Sequence, residues 1–258
     1  MLSPDSRTVA FELLRPPAGY DLDFALLTTY TLNLEAMLAL PLSLVASADN
    51  GIEELLTNPL LLLEALRRAG ERIHVFVDRA GIAVPRQKRE LYAMLEPGIH
   101  PVRAPGGGVF HPKVWVLRFI AEDGPPLIRV ALLSRNLTFD RSWDIALASE
   151  AEPRSGQGIA GSSPLAEFIR CLPELCVEQM DPSLSDRVLT LANEVLRTHF
   201  PAPVGFSPDP LKFHVLGMAG GHTGGSFLRP ISGGRDVLAV APFVGSTALN
   251  EVASMGAG

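Results

Sequence analysis

Two pairs of polar residues suited to phosphate chemistry lie on either side of one apolar run. His111 and Lys113 are two positions apart, and Ser134 and Asn136 follow the run Ile128–Leu133. Residues two apart on a strand project from the same face, so the imidazole and the ammonium are predicted to be neighbours. A histidine can attack phosphorus, while a lysine and an asparagine can hold its oxygens. The spacing therefore predicts a site for a phosphate diester.

The same residues carry a family resemblance. His111-Pro112-Lys113, then Ser134-Arg135-Asn136-Leu137-Thr138, then Asp144, resembles the HxK and SxNxT pattern of the phospholipase D superfamily, in its nuclease-like branch. The resemblance implies an α/β lobe with a mixed β-sheet flanked by helices. It also implies that His111 forms a phosphohistidine, that Lys113, Ser134 and Asn136 complete the catalytic group, and that Asp144 accepts the Nδ1 proton of His111.

Two positions depart from that pattern. Arg118 stands where the motif has an aspartate, and Leu133 stands where it has a glycine before the serine. The loss of the aspartate argues against a lipase more than against catalysis. Three arginines near the strand ends, Arg118, Arg135 and Arg141, are predicted to attract phosphate locally.

Composition limits the partners and the compartment. The chain has 258 residues, of which 47% are hydrophobic and 19% charged, with a formal net charge of -6. A net negative chain has no global attraction for nucleic acid or anionic lipid, so any polyanion must be bound by a local patch. No signal peptide or membrane span is expected, and Cys171 and Cys176 are predicted to be ordinary thiols in a reducing cytoplasm.

Strands and helices are predicted to alternate, as in a layered α/β domain. The predicted strands are Arg7–Leu14, Asp23–Thr29, Arg72–Val77, Ile99–Val102, the segment around His111, Ile128–Leu133, Trp143–Ser149 and Leu211–Met218. The predicted helices are Leu34–Val45 with Asn33 as N-cap, Ile52–Ala69, Pro85–Leu95, Leu165–Cys176 and Leu184–His199. The other five histidines, His74, His100, His199, His214 and His222, are predicted to be structural or exposed.

The C-terminal segment predicts a second, incomplete lobe. Asp236–Met255 repeats the strand-then-helix plan of Asp23–Leu38, and two-lobed members of the resembled superfamily begin each lobe in this way. We therefore predict a first lobe over residues 1–234 and the opening of a second over residues 235–258. The alternative is that the segment adds one strand and one helix to a single domain.

The resemblance implies a metal-independent nuclease with no cofactor and no metal site, acting on DNA more than on RNA. Such relatives often work beside helicases or in bacterial defence systems. Because a phosphohistidine route needs a second acid, and Lys113 is followed by no further His-x-Lys, a missing lobe or a homodimer is expected to complete the site. The chain alone is then expected to be nearly inactive. The alternatives are a non-catalytic nucleic-acid-binding or assembly scaffold of the same fold, or a phospholipid diester hydrolase.

Overall fold

The computed structural model describes residues 10–47, 59–83, 90–139, 144–203, 206 and 209–218, and the single positions 246, 249, 250 and 253. Its strands are β1 Asp21–Thr29, β2 Leu32–Asn33, β3 Ile73–Asp78, β4 Ile82–Ala83, β5 Ile99–Val102, β6 Val114–Ile120, β7 Leu127–Leu133 and β8 Ala146–Ala151. Its α-helices are α1 Leu34–Ser47, α2 Pro59–Gly70, α3 Ser163–Leu175 and α4 Pro182–Leu196. The 3₁₀ segments are Ala10–Leu14, Glu90–Gly98 and Pro105–Gly107.

A six-stranded mixed sheet organises the chain, in the order β5-β3-β1-β6-β7-β8. β1, β3 and β5 are parallel to one another, whereas β6 is antiparallel to β1 and begins a meander through β7 and β8. As a result, the carboxyl ends of β1, β3, β5 and β7 meet the first residues of β6 and β8 at one edge. β2 and β4 form a separate two-stranded pair.

Helices cover both faces of the sheet, as predicted for an α/β fold. Successive residues of a strand point to opposite faces of the sheet, so each central strand packs against helices on both sides. Val116 and Val130 pack with α3 and α4, while Trp115 and Ala131 pack on the other side with α1 and the 3₁₀ segments. The central strands are apolar on both faces because both are covered.

Several predicted elements are confirmed. Asn33 begins α1 as its N-cap, since its Oδ1 accepts hydrogen bonds from the backbone N–H groups of Glu35 (2.7 Å) and Ala36 (3.2 Å). α1 runs through Pro41 to Ser47 and is not shortened by the proline. Asp181 caps α4 in the same way, accepting from the backbone of Ser183 and Leu184. The two helices predicted near positions 165–176 and 184–199 correspond to α3 and α4.

Two predicted strands are wrong. Residues 10–14 form a 3₁₀ turn. The turn buries Leu14 completely, and Phe11 and Leu13 pack against the same apolar cluster. Residues 211–218 form no strand in the part of the chain that the structure describes: Leu211 N and Phe213 N donate to the single carbonyls of Phe200 and Gly161, and Leu216 makes only an isolated bridge. The predicted helix over 85–95 is described only from Glu90, where the chain is 3₁₀.

The C-terminal segment, Asp236–Met255, lies outside the described residues except for the four positions 246, 249, 250 and 253, so the two-lobe prediction stays a prediction. Within the described part of the chain, no helix is long and apolar enough to cross a membrane.

Candidate active site

The predicted site residues lie at the edge where the strand ends meet. His111 and Lys113 precede β6, Ser134 and Asn136 follow β7, and Asp144 precedes β8. In open α/β sheets, ligands commonly bind beyond the carboxyl ends of the parallel strands. The edge defined by the ends of β1, β3 and β5 is therefore the position where a ligand site is expected.

His111 and Lys113 lie in an extended segment just before β6, and not inside the strand as predicted. Three bonds hold this segment in place. The Thr28 hydroxyl accepts from Val114 N at 2.8 Å, Leu133 N donates to Lys113 O at 2.9 Å, and Phe110 N donates to Asp78 Oδ2 at 2.8 Å. The backbone is thus anchored on both sides of the His-x-Lys sequence.

The two side chains of that sequence contact each other, as their spacing predicted. Lys113 Nζ lies 3.0 Å from His111 Nδ1. An ammonium can only donate, so Nδ1 must be the acceptor, and a neutral His111 then carries its proton on Nε2. Partial burial and the nearby Lys113 charge lower the pKa of His111. Burial also lowers the pKa of Lys113. The lowered pKa of His111 favours a neutral imidazole near pH 7.

Tyr30 supports the imidazole from one side. Its ring lies 4.8 Å from the His111 ring, centroid to centroid, with 33° between their planes. Tyr30 is held by a close backbone contact with the turn after β3, where a Cβ added to Gly81 would lie 1.7 Å from the Tyr30 carbonyl oxygen. Only glycine allows this approach. The position of the Tyr30 ring therefore depends on Gly81.

Asp78, which ends β3, is a site residue that the sequence analysis missed. It is only 7% exposed, and its two oxygens accept from Phe110 N and Ala80 N. Its charge also favours the protonated form of His111, which partly opposes the lowering of the pKa. The sequence feature that could have identified Asp78 is its position as a carboxylate at the end of an apolar strand. Asp78 is a positioning residue, because it fixes the backbone immediately before His111.

Ser134 and Asp144 form a second pair at the same edge. Ser134 Oγ donates to Asp144 Oδ1 at 2.8 Å and accepts from Ile145 N at 2.9 Å. Arg135 Nη1 lies 3.8 Å from Asp144 Oδ2. The expected partner of His111 Nδ1 was Asp144, whereas the structure puts Lys113 at that nitrogen. Asp144 is instead bonded to the serine and faces an arginine.

Asn136 joins the end of β7 to the turn after β1. Its Oδ1 accepts from Tyr30 N (3.3 Å) and Thr31 N (3.4 Å). With Oδ1 directed to these backbone donors, Nδ2 is the end of the amide that carries donors for an anion. Asn136 is linked to His111 through Tyr30: the backbone N–H of Tyr30 donates to Asn136, and the Tyr30 ring packs at a tilt against the His111 ring.

The three predicted phosphate-binding arginines have different positions. Arg118 is directed away from the site, where its guanidinium bonds Glu194 of α4 at 2.8 Å and Asp23 at 2.7 Å. It lies five residues along β6 from Lys113, roughly 16 Å at the usual rise of a strand. The structure thus makes Arg118 a link between the sheet and α4. Arg135 is at the site edge beside Asp144, and Arg141 lies outside the described residues.

A cavity of about 550 Å³ opens beside His111. Its walls are mostly apolar, and Val109, Phe110, Leu165, Phe168, Leu175 and Phe213 are among the residues that line it. Lys212 and His214 contribute polar groups to the same lining. Among the residues that the structure describes, there is no group of three or more His, Cys, Asp or Glu side chains that could hold a metal ion.

Comparisons with known proteins give a limited match. No family model and no curated protein sequence matches the chain. Among solved structures, yeast tyrosyl-DNA phosphodiesterase is similar at 12% identity and a TM-score of 0.42, over 67% of this chain and 35% of that one. Polyphosphate kinase from Porphyromonas gingivalis is similar at 18% identity and a TM-score of 0.28, over 54% of this chain and 20% of that one.

The chain spans about one third of the length of yeast tyrosyl-DNA phosphodiesterase. A TM-score near 0.4 is too low to carry an argument about activity.

Proposed function

We propose that the chain is a phosphodiesterase acting on nucleic acid, without a metal, through a phosphohistidine on His111. The observation that carries the proposal is the 3.0 Å contact between His111 Nδ1 and Lys113 Nζ, at an edge shared with Ser134, Asn136 and Asp144. A neutral imidazole is a nucleophile, and an ammonium and an amide beside it can hold the oxygens of a phosphodiester.

The protonation state constrains the first step of this route. In the free protein the proton of neutral His111 is on Nε2, because Lys113 donates to Nδ1. Attack through Nε2 therefore requires Lys113 to leave Nδ1 and the proton to move there. A phosphate would supply the reason for the change, since its oxygens are stronger acceptors for the ammonium than an imidazole nitrogen. Lys113 then first fixes the tautomer of His111 by donating to Nδ1, and afterwards binds the phosphate.

The reaction also needs an acid for the leaving oxygen. After His111 has attacked, its lone pair is in the P–N bond, so another group must protonate the alcohol and activate water. Because no further His-x-Lys follows Lys113, that group is expected from a second lobe or a second subunit.

DNA is the preferred substrate in this proposal, and the partners remain those that the resemblance implies, a helicase or a defence system. A phospholipid diester is the second candidate, because the cavity beside His111 has mostly apolar walls. A nucleic-acid-binding scaffold without activity is the third, and it would keep the same basic residues without turnover.

One assay separates these three functions. The protein is incubated in EDTA with a single-stranded oligonucleotide, a duplex, and phosphatidylcholine vesicles. Cleavage of an oligonucleotide is expected, with a loss of at least about 100-fold in His111→Ala and an alkali-stable nucleotide adduct, joined through phosphorus to His111, after quenching. His199→Ala is the matched control, since His199 does not line the cavity.

Each competing result has a distinct meaning. Cleavage of the lipid alone would support the second candidate, and oligonucleotide binding without cleavage would support the scaffold. Strict dependence on magnesium, or full activity in His111→Ala, would contradict the histidine mechanism.

A further inference from the structure

We propose that the sheet edge carrying His111 and Lys113 is a binding surface for a nucleic-acid strand, on which Arg79 and Arg103 hold the phosphates next to the one that reacts. The inference rests on the proposed function and adds to it the contacts that select a polymer. The observation behind it is that the residues directly after β3 and β5 are exposed arginines, at the same edge as Lys113.

The pairing of the strands places the cations of this edge in a row. In the sheet order β5-β3-β1-β6-β7, they are Arg103 after β5, Arg79 after β3, Lys113 before β6 and Arg135 after β7. We call these four residues the basic edge. Asp78 is paired with Val102, so Arg79 and Arg103 leave adjacent strands at the same level. Neighbouring strands are about 4.8 Å apart, so Lys113 and Arg103 are separated by three strand spacings, or about 14 Å.

Arg79 is close to the segment that carries the reacting histidine. It follows Asp78, whose carboxylate accepts from Phe110 N, one residue before His111. The turn that contains Arg79 is closed by Gly81 N, which donates to Asp78 O at 2.7 Å. The residue that positions the His-x-Lys segment therefore also fixes the backbone of Arg79.

Arg103 is held in place by α3. Its backbone N–H donates to the carbonyl of Leu175, the last residue of α3, at 2.9 Å. Arg79 N donates to Val102 O at 3.0 Å, which joins the backbones of the two arginine segments. Each arginine thus has a fixed backbone and an exposed side chain.

Both guanidinium groups can bind an anion without losing another partner. Among the residues that the structure describes, the side chains of Arg79 and Arg103 form no hydrogen bond and no ion pair. The carboxylates of Asp78 and Asp144, at the same edge, already accept hydrogen bonds, from backbone N–H groups and from the Ser134 hydroxyl. An incoming phosphate therefore displaces no described carboxylate from either arginine.

The opposite edge of the sheet is rich in acids. Exposed carboxylates lie near the starts of β1 and β3 and the ends of β6 and β8, namely Asp21, Glu71, Glu122, Asp123, Glu150 and Glu152. The chain as a whole has a formal net charge of -6, so the sheet is polarised, with acids at one edge and the basic edge at the other. Such an asymmetry directs a polyanion to the basic edge although the net charge of the chain repels it.

The length of the row favours a polymer over a single diester. Successive phosphates of one strand of B-form DNA are about 3.4 Å apart along the helix axis. A row of about 14 Å can therefore hold the reacting phosphate and its neighbours on one side. With its single phosphodiester on Lys113, a dinucleotide leaves no second phosphate for Arg79 and Arg103.

Binding is measured in a His111→Ala background, so that the oligonucleotide stays intact. A fluorescein-labelled thymidine octanucleotide is titrated at about 50 and 200 mM salt by fluorescence anisotropy, and an unlabelled thymidine dinucleotide is measured by displacement. Each phosphate contact of a single strand contributes about 0.7 to the slope of log K against log salt. Arg79→Gln/Arg103→Gln should therefore lower the slope by about 1.4, so that the loss of affinity between the two salt concentrations becomes about sevenfold smaller. The affinity for the dinucleotide should not change.

Matched variants make the result decisive. Arg154→Gln is the control, because Arg154 is an exposed arginine after the end of β8, at the opposite edge; it should leave the slope and the affinity unchanged. Arg79→Lys/Arg103→Lys should restore most of the slope, since an ammonium also neutralises a phosphate.

Three results would overturn the inference. The first is a glutamine variant that binds the octanucleotide as Arg154→Gln does. The second is an equal loss of affinity for the dinucleotide and the octanucleotide, which would place both arginines at the reacting phosphate. The third is binding to phosphatidylglycerol vesicles without binding to the octanucleotide, which would assign the basic edge to a lipid surface.

Turnover separates this inference from the proposed function. With His111 intact, Arg79→Gln/Arg103→Gln should raise KM for the octanucleotide and leave kcat within about twofold, because contacts to flanking phosphates are the same in the ground state and the transition state. If the wild-type protein cleaves no oligonucleotide, the proposed function fails. The binding titrations still decide the role of the two arginines, because they do not require cleavage.

Discussion

At the scale of single residues, Lys113 controls the charge and the tautomer of His111. Its Nζ donates to Nδ1, and its charge adds to partial burial in lowering the pKa of the imidazole. A group whose basic form is favoured in this way stays neutral to a lower pH than a free histidine, whose pKa is about 6.5. The nucleophile should accordingly remain available below the usual titration of histidine.

Replacement of Lys113 tests this control. Lys113→Met removes the cation, so the pKa of His111 is expected to rise towards its ordinary value. The acidic limb of the pH–rate profile should then move to higher pH, and kcat should fall because a phosphate ligand is lost. The pKa is measured by NMR titration of the His111 ring. Arg170→Met, on α3 and outside the lining of the cavity, is the control, and an unchanged or lower His111 pKa in Lys113→Met would contradict the assignment.

At the scale of elements, Asp78 connects the end of β3 to the segment before β6. The two positions that it joins, Asp78 and Phe110, are 32 residues apart in the chain. Asp78→Ala would leave the buried Phe110 N–H without its acceptor, at a cost of about 1–3 kcal/mol in the free energy of unfolding. Urea denaturation measures that loss. Asp123→Ala, in the exposed β6–β7 turn, should cost less than about 0.5 kcal/mol.

A second link joins β6 to α4 through Arg118. Glu194 is only 7% exposed, and Arg118 is its bidentate partner. Arg118→Met leaves that carboxylate buried without its guanidinium, so a loss on the order of 2 kcal/mol is expected after allowance for solvent. Diester turnover at a temperature where both proteins are folded should change less than about twofold.

The paired variant separates this structural role from substrate binding. Arg118→Met/Glu194→Leu removes both charges and should be more stable than Arg118→Met alone, because no buried carboxylate remains unpaired. A rise in KM in both variants, without any loss of stability, would show that Arg118 binds substrate, as the sequence predicted.

At the scale of the whole molecule, the buried His74–His100 pair makes stability depend on pH. Burial lowers the pKa of His74 to about 3 and that of His100 to about 4, whereas both titrate near 6.5 when unfolded. The unfolded chain therefore binds more protons between these values. Stability should be full above pH 6.5 and should decline as the pH falls towards 4, by up to about 1.4 kcal/mol per pH unit for each group.

Replacing the pair tests this dependence. His74→Leu/His100→Leu should flatten the decline, as read from urea midpoints at pH 4.5 and 7. His199→Leu should leave the slope unchanged. If the double variant retains the full decline, other groups cause the acid sensitivity.

Much of the fold was determined by the sequence alone. The apolar runs of β1, β3, β5 and β7 and the capped helix α1 were predicted within a few residues, because periodicity and capping are local properties. The His111–Lys113 contact was predicted for the same reason, since two residues of spacing suffice to bring the side chains together. The edge of the sheet that carries both motifs also followed from their positions at strand ends.

Only the tertiary structure decided which partners those residues have. Local patterns show which side of an element is buried, and they do not show which distant element packs there. Asp78 meets Phe110, Arg118 meets Glu194, and His214 reaches the cavity of His111 through packing over long stretches of chain. Arg118, which was predicted to bind phosphate, pairs with Glu194 instead, because its role depends on which strands and helices are neighbours.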